Sequence, residues 1–291
     1  MSTGLKINCG DLSEANIVLL GVPYDQTASY RKGTAGGPKA IINSLEYQME
    51  TYDRYSQRMP SPSRMVGLQI LTDINGLSPA DMVARVRKEY GKHIINDAFV
   101  LLIGGEHSVS TGVFQALADH RNSKNITIFQ IDAHLDLRPD DSDYSDTPHG
   151  EYAHCTPMRR GHELGFKCVQ VGIRAYSKEE MDYAIKNKLA VFEWGIGKTP
   201  TVSEIVNSID TNQVYVTIDV DGLDPSIMPA TGTPVQGGLE WYFTIDLLRE
   251  LFRRKEIIGA DIVEVAPRPN DVVTEYGAAQ LAYTMLALRE K

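Results

Sequence analysis

Short apolar runs rich in β-branched residues alternate along the chain with longer amphipathic stretches. Most runs are continuously apolar, which is typical of strands buried on both faces of a parallel sheet. We predict strands over residues 16–22, 67–73, 99–103, 126–132, 168–173, 189–192, 214–219 and 258–264. The intervening stretches predict helices over residues 38–52, 79–96, 110–121, 178–187, 202–208, 244–255 and 275–289. This alternation predicts an α/β fold with helices on both faces of one doubly wound, parallel sheet.

The charge balance excludes several classes of protein. The chain has 38 acidic residues against 29 Lys and Arg, a net charge of −9, whereas nucleic-acid binders usually carry a basic patch. The longest apolar run, 98–103, is too short to span a membrane, and the first residues lack the hydrophobic core of a secretory signal. Three cysteines without C-x-x-C spacing do not suggest a disulfide framework. We therefore expect a cytoplasmic protein with no nucleic-acid or membrane partner.

Acidic and imidazole side chains follow four of the predicted strands, where the ligand site of such a sheet is expected. The strand 99–103 is followed by GGEHS, which contains His107, and the strand 258–264 ends at Glu264. The other two strands lead into D-A-H-L-D at 132–136 and D-V-D at 219–221. Residues i, i+2 and i+4 of an extended chain point to the same side. The acidic and histidine side chains of these two motifs can therefore converge: Asp132, His134, Asp136, Asp219 and Asp221.

Packing four carboxylates together requires compensating positive charge, and two divalent cations would supply it. The oxygen-rich set of four carboxylates and two imidazoles favours Mn²⁺ over Zn²⁺, with Fe, Co and Ni left open. Either aspartate motif alone could be a solvated loop, and His107 alone could be a histidine near a turn. The same ligand types at three strand ends favour a binuclear metal site.

These motifs resemble those of the ureohydrolases, the family of arginase and agmatinase. The similarity includes GGEHS at 104–108, DAHLD at 132–136 and TIDVDGLDP at 217–225, followed by PATGTPVQGG. It extends from GVPYD at 21–25 to the last predicted helix, so we expect one domain over residues 1–291. The resemblance implies a three-layer α/β/α fold with an eight-stranded, mostly parallel sheet. It also implies a trimer or hexamer.

The resemblance assigns roles residue by residue. One Mn²⁺ would be held by His107 and Asp136 and the other by His134 and Asp221, with two bridging ligands, Asp132 and Asp219. Glu264 would contact the substrate guanidinium, and His154 would help to protonate the departing amine. Asp136 would also accept a proton from a metal-bridging hydroxide that attacks the guanidinium carbon.

Within the family, the segments around His154 and Glu264 look most like agmatinase, which implies that a small cationic substrate, agmatine, gives putrescine and urea. Ala230 departs from many agmatinases and matches arginases. Aminopropylagmatine, guanidinobutyrate and arginine therefore stay open as substrates. Four aspartates in the segment 139–146 either line the entrance and favour a cationic tail or form a solvated loop.

Two other functions are weighed against this one. A binuclear metallophosphoesterase would usually carry a G-N-H motif, which the sequence lacks, and a basic residue for the phosphate. A non-catalytic member of the family would bind metal or guanidino ligands without turnover. The six candidate ligands, His154 and Glu264 are all present, so the sequence shows no decay of the site.

Overall fold

All eight predicted strands are present in the computed structural model, which describes residues 4–60, 64–143, 146 and 148–290. They are β1 (Ile17–Val22), β2 (Val66–Ile70), β3 (Phe99–Gly104), β4 (Ile126–Ile131), β5 (Lys167–Ile173), β6 (Ala190–Glu193), β7 (Gln213–Asp219) and β8 (Glu256–Val263). Every neighbouring pair is parallel, in the order β2-β1-β3-β8-β7-β4-β5-β6. The predicted α/β fold with a central parallel sheet is confirmed.

Eight α-helices accompany the sheet within the described residues. They are α1 (Gly37–Tyr47), α2 (Pro79–Ile95), α3 (Val109–His120), α4 (Pro157–Glu163), α5 (Lys178–Asn187), α6 (Val202–Asn207), α7 (Trp241–Arg254) and α8 (Val273–Leu288). Seven of them were predicted. None of the helices in this part of the chain is long and apolar enough to cross a membrane.

The sheet separates two apolar cores, as expected when both faces of each strand are buried. Helices α1, α6, α7 and α8 pack on one face, where Leu45, Leu248 and Leu281 are fully buried. Helices α2, α3, α4 and α5 cover the other face, with Val86, Phe114 and Met158. The result is three layers, helices–sheet–helices.

The prediction missed one helix and misplaced the ends of others; α7, for example, begins at Trp241 rather than at residue 244. Helix α4 was missed because it is only seven residues long and contains Gly161. That glycine lies so close to the sheet that a Cβ atom would come within 2.5 Å of Ile128, so tertiary packing rather than local propensity determines this helix. Helix α1 ends at Tyr47 rather than at residue 52. Beyond it the chain turns around buried Asp53, which accepts hydrogen bonds from the Ser56 backbone amide and the Thr284 hydroxyl.

The order of the strands determines where the candidate residues meet. Strands β3, β8, β7 and β4 are neighbours at the centre of the sheet, although they lie far apart in sequence. Their carboxyl ends therefore form one continuous edge. The four segments that the sequence analysis singled out all begin at this edge.

A close backbone approach fixes the loop after β3. The Gly105 amide donates to the Val22 carbonyl at 2.8 Å, and the next amide, that of Glu106, donates to the Tyr24 carbonyl at 2.8 Å. A Cβ atom on Gly105 would lie 2.0 Å from the Tyr24 carbonyl oxygen, which is far inside van der Waals contact. Only glycine fits at this point without moving the backbone.

We expect Gly105→Ala to lower the free energy of unfolding by about 2–4 kcal/mol, because one of two hydrogen-bonded backbone segments must move. Gly76→Ala is the matched control, since a Cβ atom there meets nothing within 4 Å and should change stability by less than about 0.5 kcal/mol. Urea denaturation of both variants measures the difference. Equal stability of the two variants would contradict the packing described here.

Candidate active site

Each strand of the central edge supplies one part of the candidate site. His107 lies in the loop after β3, and Glu264 follows β8 directly. Asp219 is the last residue of β7. The remaining candidate ligands follow β4 or the end of β7: Asp132, His134, Asp136 and Asp221. The structure thus brings all six predicted metal ligands and Glu264 to one place, with five of the seven buried.

Five of these side chains form two groups, and within each group the donor atoms lie within 4.8 Å of one another. One group is His107, Asp132 and Asp219, and the other is Asp132, His134 and Asp221. Asp132 belongs to both groups, as expected of a bridging ligand. Asp219 belongs to the first group alone, so the geometry gives its predicted bridging role less support.

The distances around the two histidines agree with the ligands that were predicted for each metal. His107 Nδ1 lies 2.9 Å from Asp136 Oδ2 and 3.2 Å from Asp132 Oδ2. His134 Nδ1 lies 3.1 Å from Asp221 Oδ2 and 3.6 Å from Asp132 Oδ1. The Nδ1 atom of each histidine therefore lies close to one carboxylate of its own predicted metal and to the carboxylate of Asp132, which both histidines contact.

The hydrogen bonds of His107 show that this arrangement fits a cation. Its Nε2 contacts the Thr217 hydroxyl at 2.9 Å, and that hydroxyl donates to Asp261 at 2.6 Å. Since the Thr217 proton is used, Nε2 of His107 must donate, and in the neutral imidazole Nδ1 carries the lone pair. Nδ1 is buried and makes no hydrogen bond in the described structure, although carboxylates surround it. An imidazole lone pair and carboxylate oxygens that face the same point are the kinds of ligand that a metal ion requires.

The pKa values show the same electrostatic conflict. Burial, together with the charges of Asp221 and Asp132, raises the pKa of Asp219 well above its usual range. Burial and the charge of Asp132 raise the pKa of Asp136 to about 7. Burial disfavours protonated His107, but its contacts with Asp132 and Asp136 outweigh this and raise its pKa. Without cations, these carboxylates compete for protons.

Two residues of the site adopt left-handed backbone conformations that non-glycine residues rarely use: Asp136 has φ +50° and Glu264 has φ +65°. Such conformations cost about 1–3 kcal/mol each and persist only where the surrounding structure holds them. At Glu264 the conformation is held by the backbone amide, which donates to the Gly105 carbonyl at 2.8 Å. It lets Oε1 of Glu264 accept from the His107 amide at 2.8 Å.

A cavity of about 430 Å³ opens above the two groups. His154 and Glu264 both line it, as do Tyr30, Arg31 and Tyr176 nearer the surface. A larger cavity, about 950 Å³, lies at the opposite, amino edge of the sheet beside the end of α7. Its arginines on α7 pair with acidic residues of the same helix, so we place the chemistry in the smaller cavity.

His154 faces this cavity from the loop before α4. Its Nε2 lies 3.2 Å from the Ser29 hydroxyl, and its backbone amide donates to the Thr27 hydroxyl at 2.8 Å. Burial lowers the pKa of His154 to about 4, so the imidazole is neutral at neutral pH. The desolvated position of the ring explains why its pKa lies below the usual value for histidine.

The four aspartates of the segment 139–146 do not line the cavity. Asp141 is buried and accepts hydrogen bonds from the His149 and Gly150 amides, while Asp140 accepts from the Ser142 amide. Asp143 pairs with Arg138. These contacts favour the loop interpretation over the entrance interpretation.

Several supporting residues were missed because their contacts join distant parts of the chain. One signal was present, since Asp261 is an acid inside the apolar run of β8. Arg174 gave no signal, yet its guanidinium donates to backbone carbonyls that include those of Asp221 and Val235. It thereby fixes the loop that carries Asp221.

The parallel sheet and the paired histidine–carboxylate groups at its carboxyl edge define an α/β protein with a candidate two-cation centre. Residues 15–287 match the family model described as Arginase family. An N(1)-aminopropylagmatine ureohydrolase from Synechocystis sp. is 37% identical over 94% of this chain and 89% of that protein. An agmatinase from Bacillus cereus is 33% identical over 87% of this chain and 84% of that protein.

The fold comparison agrees. The crystal structure of agmatine ureohydrolase of Thermoplasma volcanium superposes with a TM-score of 0.82 at 26% identity, covering 100% of this chain and 95% of that one. The chain belongs to the arginase family. It is a ureohydrolase, a hydrolase that acts on C–N bonds of linear amidines, and the predicted family is confirmed.

We expect Asp132→Asn to lose bound metal from both groups, because this carboxylate is common to them. After loading with Mn²⁺ and dialysis, the variant should retain less than about a tenth of the metal of the unmodified protein, in line with the loss of a ligand. Asp140→Asn is the control, since Asp140 lies outside both groups and the cavity. Atomic absorption measures the metal. Full retention by Asp132→Asn would contradict the shared role.

Proposed function

We propose that this chain hydrolyses the guanidinium group of an amine-tailed guanidine to urea and the corresponding amine, using two Mn²⁺. The observation that carries the proposal is Asp132, which is common to two buried donor groups in the cavity that also contains Glu264. Four carboxylates and two imidazoles form an oxygen-rich set that suits Mn²⁺. The residues that would hold the metals are those of the two groups together with Asp136.

Glu264 is positioned to bind the guanidinium. Its Oε1 accepts from the His107 amide, while Oε2 lies on the cavity side, toward Gly232. Burial and the charge of Glu106 raise the pKa of Glu264, and a guanidinium beside it would favour the carboxylate form. A planar guanidinium matches a carboxylate in two hydrogen bonds, which orients its carbon toward the donor groups.

The reaction adds water to the guanidinium carbon and breaks its bond to the alkylamine nitrogen, giving urea and a protonated amine. When bound, a pair of divalent cations lowers the pKa of water toward neutrality and so supplies hydroxide. We propose that Asp136 accepts the proton which the attacking water loses. His154, neutral at rest, takes up this proton and passes it to the departing amine nitrogen, and the hydroxyl proton that is lost as the urea carbonyl forms leaves the amine protonated.

The outer part of the cavity supports a cationic tail. Tyr30 and Tyr176 are exposed at its opening and present aromatic rings to which an ammonium group can bind. Arg138, which also lines the cavity, forms ion pairs with Asp143 and Glu180, so its charge is already balanced. The motifs placed agmatine first, whereas the Synechocystis relative favours N1-aminopropylagmatine, which we propose as the first substrate to test with agmatine second.

One observation favours a second candidate, a guanidino acid such as guanidinobutyrate or arginine. The Arg31 side chain is exposed on the cavity wall and makes no hydrogen bond or ion pair within the described residues. A guanidinium in that place could bind a carboxylated tail.

Urea release from N1-aminopropylagmatine, agmatine, guanidinobutyrate and arginine separates these candidates. We expect kcat/KM for N1-aminopropylagmatine and agmatine to exceed that for the two acids by at least about 100-fold. A carboxylate tail without a partner in the site would cost about this much. Arg31→Ala should leave hydrolysis of the amines within about twofold, because their tails need no guanidinium partner. Preference for an acid, lost in Arg31→Ala, would establish the second candidate instead.

His154→Ala should keep both metals and lose about 10²–10⁴-fold in kcat, because proton transfer to the departing amine is lost. His120→Ala is the control, since His120 is exposed at the end of α3 and far from the cavity lining. Steady-state kinetics and metal content measure both variants. Unchanged kcat in His154→Ala would contradict the proposed proton transfer.

A further inference from the structure

A buried carboxylate that the proposed reaction does not use lies directly beside the metal site. Glu106 has no exposed surface, and within the described residues it forms no ion pair with Lys, Arg or His. Such a carboxylate is costly unless hydrogen bonds satisfy it. All its partners are neutral donors. They are the Thr27 amide at 2.8 Å, the Thr27 hydroxyl and the Ser108 hydroxyl at 2.6 Å.

Thr27 connects this carboxylate to His154. The Thr27 hydroxyl donates to Glu106, and its oxygen accepts from the His154 backbone amide at 2.8 Å. Thr27 is itself buried, so water does not compete for either bond. The three residues are separated by 79 and 127 positions in sequence, and the sheet alone brings them together.

The segment that carries Thr27 is held in place at its other end. Asp25 accepts from the Gly33 amide at 2.9 Å and from the Asn75 side chain at 3.2 Å. The same segment brings the Ser29 hydroxyl to His154 Nε2. The position of His154 is therefore determined from its backbone and from its ring by one loop, and Glu106 anchors that loop.

We propose that Glu106 and Thr27 are positioning residues that hold the His154 imidazole over the substrate cavity. The inference rests on the proposed function, in which His154 transfers a proton to the departing amine. A displacement of a catalytic group by about 1 Å can cost about 100-fold in rate. The hydrogen bond from the His154 backbone amide to the Thr27 hydroxyl opposes such a displacement.

The test is a double-mutant cycle on the Mn²⁺-loaded full chain with urea release as readout. Thr27→Val removes the hydroxyl at nearly constant volume and should lower kcat at least about tenfold, with KM within about twofold. Thr27→Ser restores the hydroxyl and should recover kcat to within about threefold. In the His154→Ala background, Thr27→Val should cause no further loss, because it acts through His154. Glu106→Gln should reproduce the loss seen in Thr27→Val.

Thr34→Val is the matched control. Thr34 lies in the same loop and is also fully buried, but its hydroxyl has no hydrogen-bond partner in the described part of the chain. We expect this variant to keep kcat within about twofold. Metal content and thermal unfolding are measured for every variant. Metal content should stay unchanged in Thr27→Val, while its unfolding should remain cooperative with a midpoint lowered by a few degrees, because buried hydrogen bonds are lost.

The outcomes separate the two proposals. Normal kcat in Thr27→Val, no rescue by Thr27→Ser, or a full additional loss in the His154→Ala background would overturn the positioning role. Loss of metal in Thr27→Val would overturn it as well, since the defect would then lie in the metal site. Unchanged kcat in His154→Ala, or no urea release by the unmodified protein, would instead overturn the proposed function.

Discussion

The structure depends on how four carboxylates are kept together in a buried place. Asp132, Asp136, Asp219 and Asp221 lie at the centre of the sheet edge, and their mutual repulsion would favour protonation or unfolding if nothing balanced it. Two imidazoles face them with their Nδ1 atoms. Because the Thr217–Asp261 contact leaves the lone pair of the neutral imidazole on His107 Nδ1, that ring can act as a ligand once cations replace the protons that the carboxylates otherwise share with it. Divalent cations would neutralise the negative charge of the four carboxylates. The surrounding backbone holds the ligand atoms in position before a cation binds.

The type of fold and the family could be predicted from the sequence, and so could the residues that meet at the candidate site. A strand that is buried on both faces, such as β4, is mostly apolar along its length. The polar residues that follow such a strand are therefore easy to recognise in the sequence. The order of the strands was not accessible, because β3, β8, β7 and β4 become neighbours only through long crossovers. That order is what turns four separate motifs into one site. Helix α4 escaped prediction for the same reason, since Gly161 in it fits against Ile128 of a distant strand.

The supporting contacts were the least predictable part. Thr217 and Asp261 orient His107, Arg174 fixes the loop of Asp221, and Thr27 and Glu106 hold the His154 backbone. Each joins segments that no local pattern connects. A buried acid in an apolar run, as at Asp261, is the one signal that could have been followed. The residues that meet at a candidate site can thus be predicted from residue type and spacing, whereas the residues that orient them depend on tertiary contacts.

The central claim is that two cations, sharing Asp132, are required for hydrolysis. Titrating chelator-stripped protein with Mn²⁺ while measuring urea release from N1-aminopropylagmatine and agmatine tests it most directly. We expect no activity without added metal and a rise that reaches its maximum at about two equivalents per chain, the number of cations that balances four carboxylates. Full activity in the stripped protein, or a maximum at one equivalent, would contradict the claim.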